Sequence, residues 1–229
     1  MDPVALAVLK GALEQTCAEM ESTFVRAAFS PVIAEGQDMA CGIYDPRTGE
    51  VIAQGDAGLP IFVVTMQDVV QHVLSVFPAP RPGEVYATND PYKGGTHLMD
   101  VKMVRPFFYQ DQLVCHLGVT GHWTDIGGSV PGGYASRATE IYQEGLWIPP
   151  LRICRDGRLN DDVLSLILRN VRVPRQQLGD IKAQIGALDV GARRLTRMLD
   201  KCGVGSFQEL TAELRAYAER KIRAYLADV

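Results

Sequence analysis

Two β-prone runs, Val101 to Phe108 and Leu113 to Trp123, flank a tight Tyr109-Gln110-Asp111 turn and constrain the fold more than any other stretch. A turn that short brings its two runs back beside each other as an antiparallel hairpin. Three glycine-rich loops bracket the hairpin: Lys93-Gly94-Gly95-Thr96, Gly127 through Gly133, and Gln143-Glu144-Gly145. Loops held by a rigid sheet are where binding and catalytic groups concentrate.

Outside this centre the hydrophobic period changes. From Val4 to Ala28, Leu6, Leu9, Leu13, Cys17, Met20, Phe24 and Ala27 recur every three or four residues, which predicts one long amphipathic helix. Met39 to Asp45 and Glu50 to Gln54 read as short strands around a Pro46-Arg47-Thr48-Gly49 turn. A second helix is expected over Thr65 to Phe77, stopped by Pro78, and a further strand over Glu84 to Thr88. Helices return after Asp161, over Val163 to Val171, about Gln176 to Leu199, and Phe207 to Leu226. The fold class is therefore α+β: an N-terminal helix, a mixed sheet with hairpins and glycine-rich loops, and a C-terminal helical region. The division expected is an α+β domain over residues 1–158 and a helical tail over 159–229. With so short a sheet to cover, the tail's apolar positions, among them Leu195, Leu199, Leu214, Tyr217 and Tyr225, are expected to face another subunit.

Composition excludes several classes. A chain of 229 residues that is 47% hydrophobic and 22% charged is long enough to bury a core, so general disorder is out. With 23 basic and 27 acidic residues the net charge is −4, leaving no basic field for nucleic acid. The longest uncharged apolar stretch, Leu59 to Met66, is far short of the roughly 20 residues a membrane crossing needs. Asp2 stands where a signal peptide would be basic, so a soluble, cytoplasmic protein is expected. Cys17, Cys41, Cys115, Cys154 and Cys202 are scattered and form no CxxC pair, as small core residues would be.

Four histidines occur, and their neighbours separate them. His97 and His122 each stand three residues before a carboxylate, Asp100 and Asp125, at loop edges. Imidazole nitrogen with carboxylate oxygen suits zinc, manganese or iron rather than calcium, and two carboxylates neutralise a divalent ion. Asp38, opening a strand, offers a further oxygen. His116 lies on the same strand as His122 but about 20 Å away at 3.3 Å per residue, too far to share the ion. It reads, like His72, as a satisfied structural histidine. Glu144 is the remaining carboxylate beside a glycine turn, placed either to hold a loop or to touch substrate. No GxxxxGK[ST], GxGxxG after a strand, or GxSxG occurs, so any ATP chemistry belongs to another chain.

Asn89-Asp90-Pro91-Tyr92, Gly94-Gly95-Thr96-His97-Leu98-Met99-Asp100, Gly121-His122-Trp123-Thr124-Asp125-Ile126-Gly127-Gly128 and Glu144-Gly145 with Ile148-Pro149-Pro150 together resemble the hydantoinase B family. Asn170-Val171-Arg172-Val173-Pro174 and Gly179-Asp180-Ile181-Lys182-Ala183-Gln184 continue the resemblance into the tail. That family includes N-methylhydantoinase, 5-oxoprolinase, caprolactamase and the acetone and acetophenone carboxylases. The resemblance implies a hydantoinase A type partner that uses ATP to activate a lactam, hydantoin or enolate, while this part binds a metal and completes hydrolysis or carboxylation. It implies Asp38, His97, Asp100 and His122 as metal ligands, with Asp125 or Glu144 as proton-handling or orienting groups. Members of the family run much longer, so a separate chain supplying the C-terminal half is a further expected partner. Three functions follow from this: an ATP-dependent cyclic amide hydrolase subunit, a ketone carboxylase subunit, or a non-catalytic assembly module.

Overall fold

The computed structural model describes residues 3–227; Met1, Asp2, Asp228 and Val229, at the ends of the two expected regions, lie outside it. Helix α1 (Pro3–Ala27) opens the chain and turns Leu9, Leu13, Cys17, Met20 and Phe24 inward, the stripe that its period predicted. After a short α2 (Pro31–Ala34) the strands are β1 (Met39–Tyr44), β2 (Val51–Gln54), β3 (Val85–Thr88), β4 (Asp100–Tyr109), β5 (Gln112–His122), β6 (Leu151–Arg155) and β7 (Arg158–Leu159). They form one sheet in the order β2-β1-β5-β4-β3-β6-β7.

Every pairing in this sheet is antiparallel, which corrects the expected mixed sheet within the α+β class. The connections explain it. Neighbours β1 and β2, β4 and β5, and β6 and β7 are joined by hairpins, and antiparallel pairs are what short links allow. The one long helical connection, α3 (Pro60–Val76), runs from edge strand β2 to β3, which is not its neighbour, so no helical crossover lays two adjacent strands parallel. In the central hairpin Gln110 and Asp111 take φ of 49° and 63°, the left-handed pair that a two-residue turn between right-twisted strands requires.

Alternation along the strands gives the sheet two different faces. Met39, Cys41, Ile43, Val101, Met103, Leu117 and Val119 join α1's stripe in the main core. Tyr44, Tyr86 and Val104 face the other way and pack on Met66, Val69, Val70 and Val73 of α3. Four of the five cysteines are buried and Cys202 is partly so.

Helix α4 (Asp161–Arg169) starts at Asn160, whose side chain accepts from the N–H groups of Asp162 and Val163. Helix α5 (Pro174–Ala227) is broken at Gly203, where φ 74° and ψ 160° leave the helical region. Its first half lies beside α1 on the main core, with Ile181, Leu188, Leu195, Leu199 and, past the break, Phe207 buried. The expectation that Leu195 and Leu199 face another subunit is thereby corrected, because α1 alone does not cover the sheet and α5 supplies the rest of the layer. Gln184 fastens the two together: its amide donates to Val101 O at 3.0 Å and its carbonyl accepts from Trp123 Nε1 at 2.9 Å. Within the described part of α5, the large apolar groups exposed to solvent lie at its far end, namely Tyr217, Ile222, Tyr225 and Leu226.

Candidate metal centre

Strand register builds this site. Asp100, the first residue of β4, pairs directly with His122, the last of β5. On the other side of β5 the His122 N–H donates to Asp38 O at 3.0 Å, extending the β1–β5 ladder by one residue. Asp38, His122 and Asp100 therefore end three neighbouring strands in one row. His97 is delivered by the turn before β4, closed by the Asp100 N–H on His97 O at 3.1 Å.

The side chains converge. His122 Nδ1 lies 3.1 Å from Asp100 Oδ1 and 3.5 Å from Asp38 Oδ2, while His97 Nδ1 lies 3.3 Å from Asp100 Oδ2. One ligand atom from each of His97, Asp100 and His122 lies within 4.8 Å of the others. The imidazoles of His97 and His122 meet edge to face with centroids 5.1 Å apart, and Tyr134 stacks over His122 at 6.0 Å. That ring is 69% exposed and lies on the solvent side of the cluster.

Burial makes these groups costly unless something compensates. Asp100 is fully buried; burial raises its pKa, but hydrogen bonds from His122 and Thr96 and the nearby cationic groups outweigh that and hold it below the ordinary carboxylate range. Burial pushes Asp38 above its usual value, against the attraction of His122. His97 is pushed down by burial, with Asp100 pulling the other way. Among the described residues, Asp38 Oδ1 and His97 Nδ1 are buried atoms without a hydrogen-bond partner. The convergent atoms of His97, Asp100 and His122, with the Asp38 carboxylate beside His122, fit a divalent ion of the zinc, manganese or iron type.

The second His-x-x-Asp pair does not close in the same way. Asp125 is turned from the cluster and accepts from Gly127 N at 2.9 Å, Gly132 N at 3.2 Å, Arg172 N at 3.1 Å and Arg172 Nη1 at 3.1 Å. Burial opposes its ionisation but those donors prevail and lower its pKa. Arg172 also donates to Gly127 O, Val130 O and Gly128 O, so the pair pins the glycine loop to the start of α5. Gly127 sits there at φ 85°, and a Cβ would strike the Asn170 carbonyl, so only glycine fits.

Glu144 lines a cavity of about 300 Å³ together with His97, Met99, Tyr134 and Ser136. A larger cleft, about 570 Å³, lies at Phe77, Arg81 and Arg152, away from the histidines. Asn89 stitches the loops below the site: its amide donates to Leu98 O and Leu146 O at 2.7 and 2.9 Å, and its carbonyl accepts from Ile148 N at 2.7 Å. His116 is fully buried elsewhere on β5, 3.2 Å from Pro46 O.

Thr96, Lys102 and Tyr134 had no role assigned from sequence. Thr96 Oγ1 donates to Asp100 Oδ2, and Lys102 Nζ donates to Thr96 Oγ1 at 3.3 Å. Burial pushes the Lys102 ammonium down to about 8. Lys102 was detectable, since alternation puts it on Asp100's face of a strand otherwise made of apolar residues there. Tyr134 carried no such signal, because a loop fixes its direction.

Residues 2–229 match the family Hydantoinase B/oxoprolinase. The chain is 38% identical over 240 residues to the caprolactamase subunit beta of Pseudomonas jessenii, covering 100% of this chain and 39% of that protein. It is 27% identical over 230 residues to 5-oxoprolinase of Dictyostelium discoideum, covering 100% of this chain and 18% of that one. The crystal structure of the ATP-dependent caprolactamase from Pseudomonas jessenii superposes with a TM-score of 0.92 at 37% identity, over 100% of this chain and 39% of the other. A nucleotide-free acetone carboxylase structure shares the fold, with a TM-score of 0.88 at 20% identity over 93% of this chain and 28% of that one. The chain thus spans 39% or less of the length of each of these relatives. With the motifs of all three glycine loops and of the tail inside the matched span, the chain belongs to the hydantoinase B/oxoprolinase family.

Proposed function

We propose that this chain is the metal-bearing catalytic part of an ATP-dependent cyclic amide hydrolase, acting on a lactam, hydantoin or cyclic imide that a hydantoinase A type partner subunit has activated with ATP. The observation that carries the metal reading is the convergence of ligand atoms from His97, Asp100 and His122, with Asp38 beside His122, while Asp38 Oδ1 and His97 Nδ1 have no hydrogen-bond partner among the described residues. Hydrolysis rather than carboxylation is favoured by the 38% identity to a caprolactamase subunit, against a likeness of fold alone to acetone carboxylase. The relative's designation as subunit beta supports a partner chain. The setting is the cytoplasm, where ATP is available; no helix among the described residues is long and apolar enough to cross a membrane.

In this reading Asp38, His97, Asp100 and His122 hold the ion. When bound, a divalent ion supplies Lewis acidity to a substrate oxygen or lowers the pKa of a water. Tyr134 shields the cluster from bulk solvent and Glu144, in the same cavity, handles the proton passing to or from the opened amide. Asp125 holds the loop that carries Tyr134.

Elemental analysis of the purified chain tests the reading. The wild type and His116→Asn are expected to carry about one divalent ion per chain, and His97→Ala and His122→Ala to lose it. Equal metal in all four, or none in the wild type after incubation with Zn²⁺, Mn²⁺ and Fe²⁺ in turn, refutes it.

A further inference from the structure

Lys102 is fully buried, and among the described residues its ammonium has a single hydrogen-bond acceptor, Thr96 Oγ1 at 3.3 Å. Its other company is the Phe62 ring, 5.5 Å from Nζ to centroid. Its register partners on β5 and β3 are Thr120 and Thr88, whose hydroxyls are engaged with Met66 Sδ and Ile148 O. Among the described residues no carboxylate pairs with it directly. A buried cation without a direct counter-charge costs several kcal/mol, so a strand does not retain one for packing.

The order of donors resolves what Lys102 does. An ammonium has only hydrogens to offer, so Thr96 Oγ1 must accept from it. The threonine's own hydrogen is then free to go only outward, and the oxygen it reaches is Asp100 Oδ2. With Oδ2 engaged, Asp100 Oδ1 is the oxygen left facing the centre, 3.1 Å from His122 Nδ1. Lys102 and Thr96 thus form a line of hydrogen bonds that ends on Asp100 Oδ2, its direction set at its buried end.

We infer that Lys102 is a positioning residue of the metal centre, fixing the hydroxyl direction of Thr96 and through it the orientation of the Asp100 carboxylate. This rests on the metal reading given above. Partners behind a ligand orient it, and their loss weakens metal binding by 10–100-fold. Lys102 touches neither ion nor substrate; it acts through Thr96.

The affinity of the full chain for Mn²⁺ and Zn²⁺, measured by competition with a chelating dye, tests it without reference to turnover. Lys102→Met and Thr96→Val are each expected to bind 10–100-fold more weakly than wild type. Lys102→Gln, whose amide still donates to Thr96 with no charge, and Thr96→Ser, which keeps the hydroxyl, should restore binding to within about 3-fold. The double variant Lys102→Met with Thr96→Val should be no weaker than the worse single one, because both break the same line. Chelator-treated samples are melted in parallel, so that lost folding shows as a lowered Tm; if Lys102→Met does not fold, the Gln, Val and Ser variants carry the test. Full affinity in Thr96→Val, a loss in Lys102→Gln as large as in Lys102→Met, or losses that multiply in the double variant would overturn the inference while leaving the metal site standing. A wild type that binds neither ion refutes the metal reading itself.

Discussion

His116 makes stability depend on pH in a window where few other groups titrate. Its ring is fully buried, Nε2 faces Pro46 O at 3.2 Å, and Nδ1 has no partner. Burial pushes its pKa down to about 4, outweighing the Pro46 carbonyl and the charge of Asp45. The unfolded chain takes up this proton near pH 6.5 and the folded chain only near pH 4, so between those values the unfolded state binds more protons and stability falls as the pH drops. Linkage puts the loss at about 2 kcal/mol by pH 5 and about 3 kcal/mol by pH 4. His116→Gln keeps a donor for Pro46 O but cannot titrate. Whatever its cost at pH 7, the gap between wild type and variant should move by about 2 kcal/mol in the variant's favour at pH 5. Urea unfolding followed by circular dichroism measures both, with EDTA present so that metal release from His97 and His122 does not enter. Parallel stability curves for the two proteins from pH 7 to 5 would refute the reasoning.

Two further outcomes separate the structural elements. Arg172→Ala removes the guanidinium contacts to Asp125 and to the carbonyls of Gly127, Gly128 and Val130; it should cost roughly 2–3 kcal/mol and open the Gly127–Tyr134 loop to limited proteolysis, and an unchanged cleavage rate there would show that Asp125 alone holds the loop. Leu195→Ala, in the buried half of α5, should cost about 2–5 kcal/mol, whereas Tyr225→Ser, in the exposed end, should change stability by less than about 0.5 kcal/mol; equal thermal shifts would contradict the burial pattern.

What the sequence made legible follows the physics of each signal. The α1 stripe and the central hairpin are local patterns, one at a helical period and one around a short turn, and the structure keeps both. The edge hairpin β6–β7 went unread although Asp156-Gly157, with φ of 50° and 74°, is a strong two-residue turn signal. Its strands are too short to show alternation. His97 and Asp100 were legible because three residues suffice for one turn, but the identical spacing of His122 and Asp125 misled. Asp125 is drawn off by Arg172, far along the chain, which no local pattern reports. The first half of the tail was misread for the same reason, since whether Leu195 faces a neighbour or its own sheet depends on how much of that sheet α1 leaves bare.

The pairing of Asp100 with His122 also bears on how faithfully this sheet finds its alignment. A slip of one residue between β4 and β5 would send Asp100 to the side of α1 and α5, burying a carboxylate in the apolar layer, and would bring Val101 to the row of His122. The same slip would carry Lys102 to the wrong side as well. Misaligned sheets are therefore penalised twice, by charge stranded in the apolar layer and by apolar groups facing the polar cluster. The residues that form the proposed metal centre are also those that make its strands commit to one alignment, so replacement of Asp100 by Leu should yield a chain that folds with less discrimination as well as one that no longer retains a metal ion.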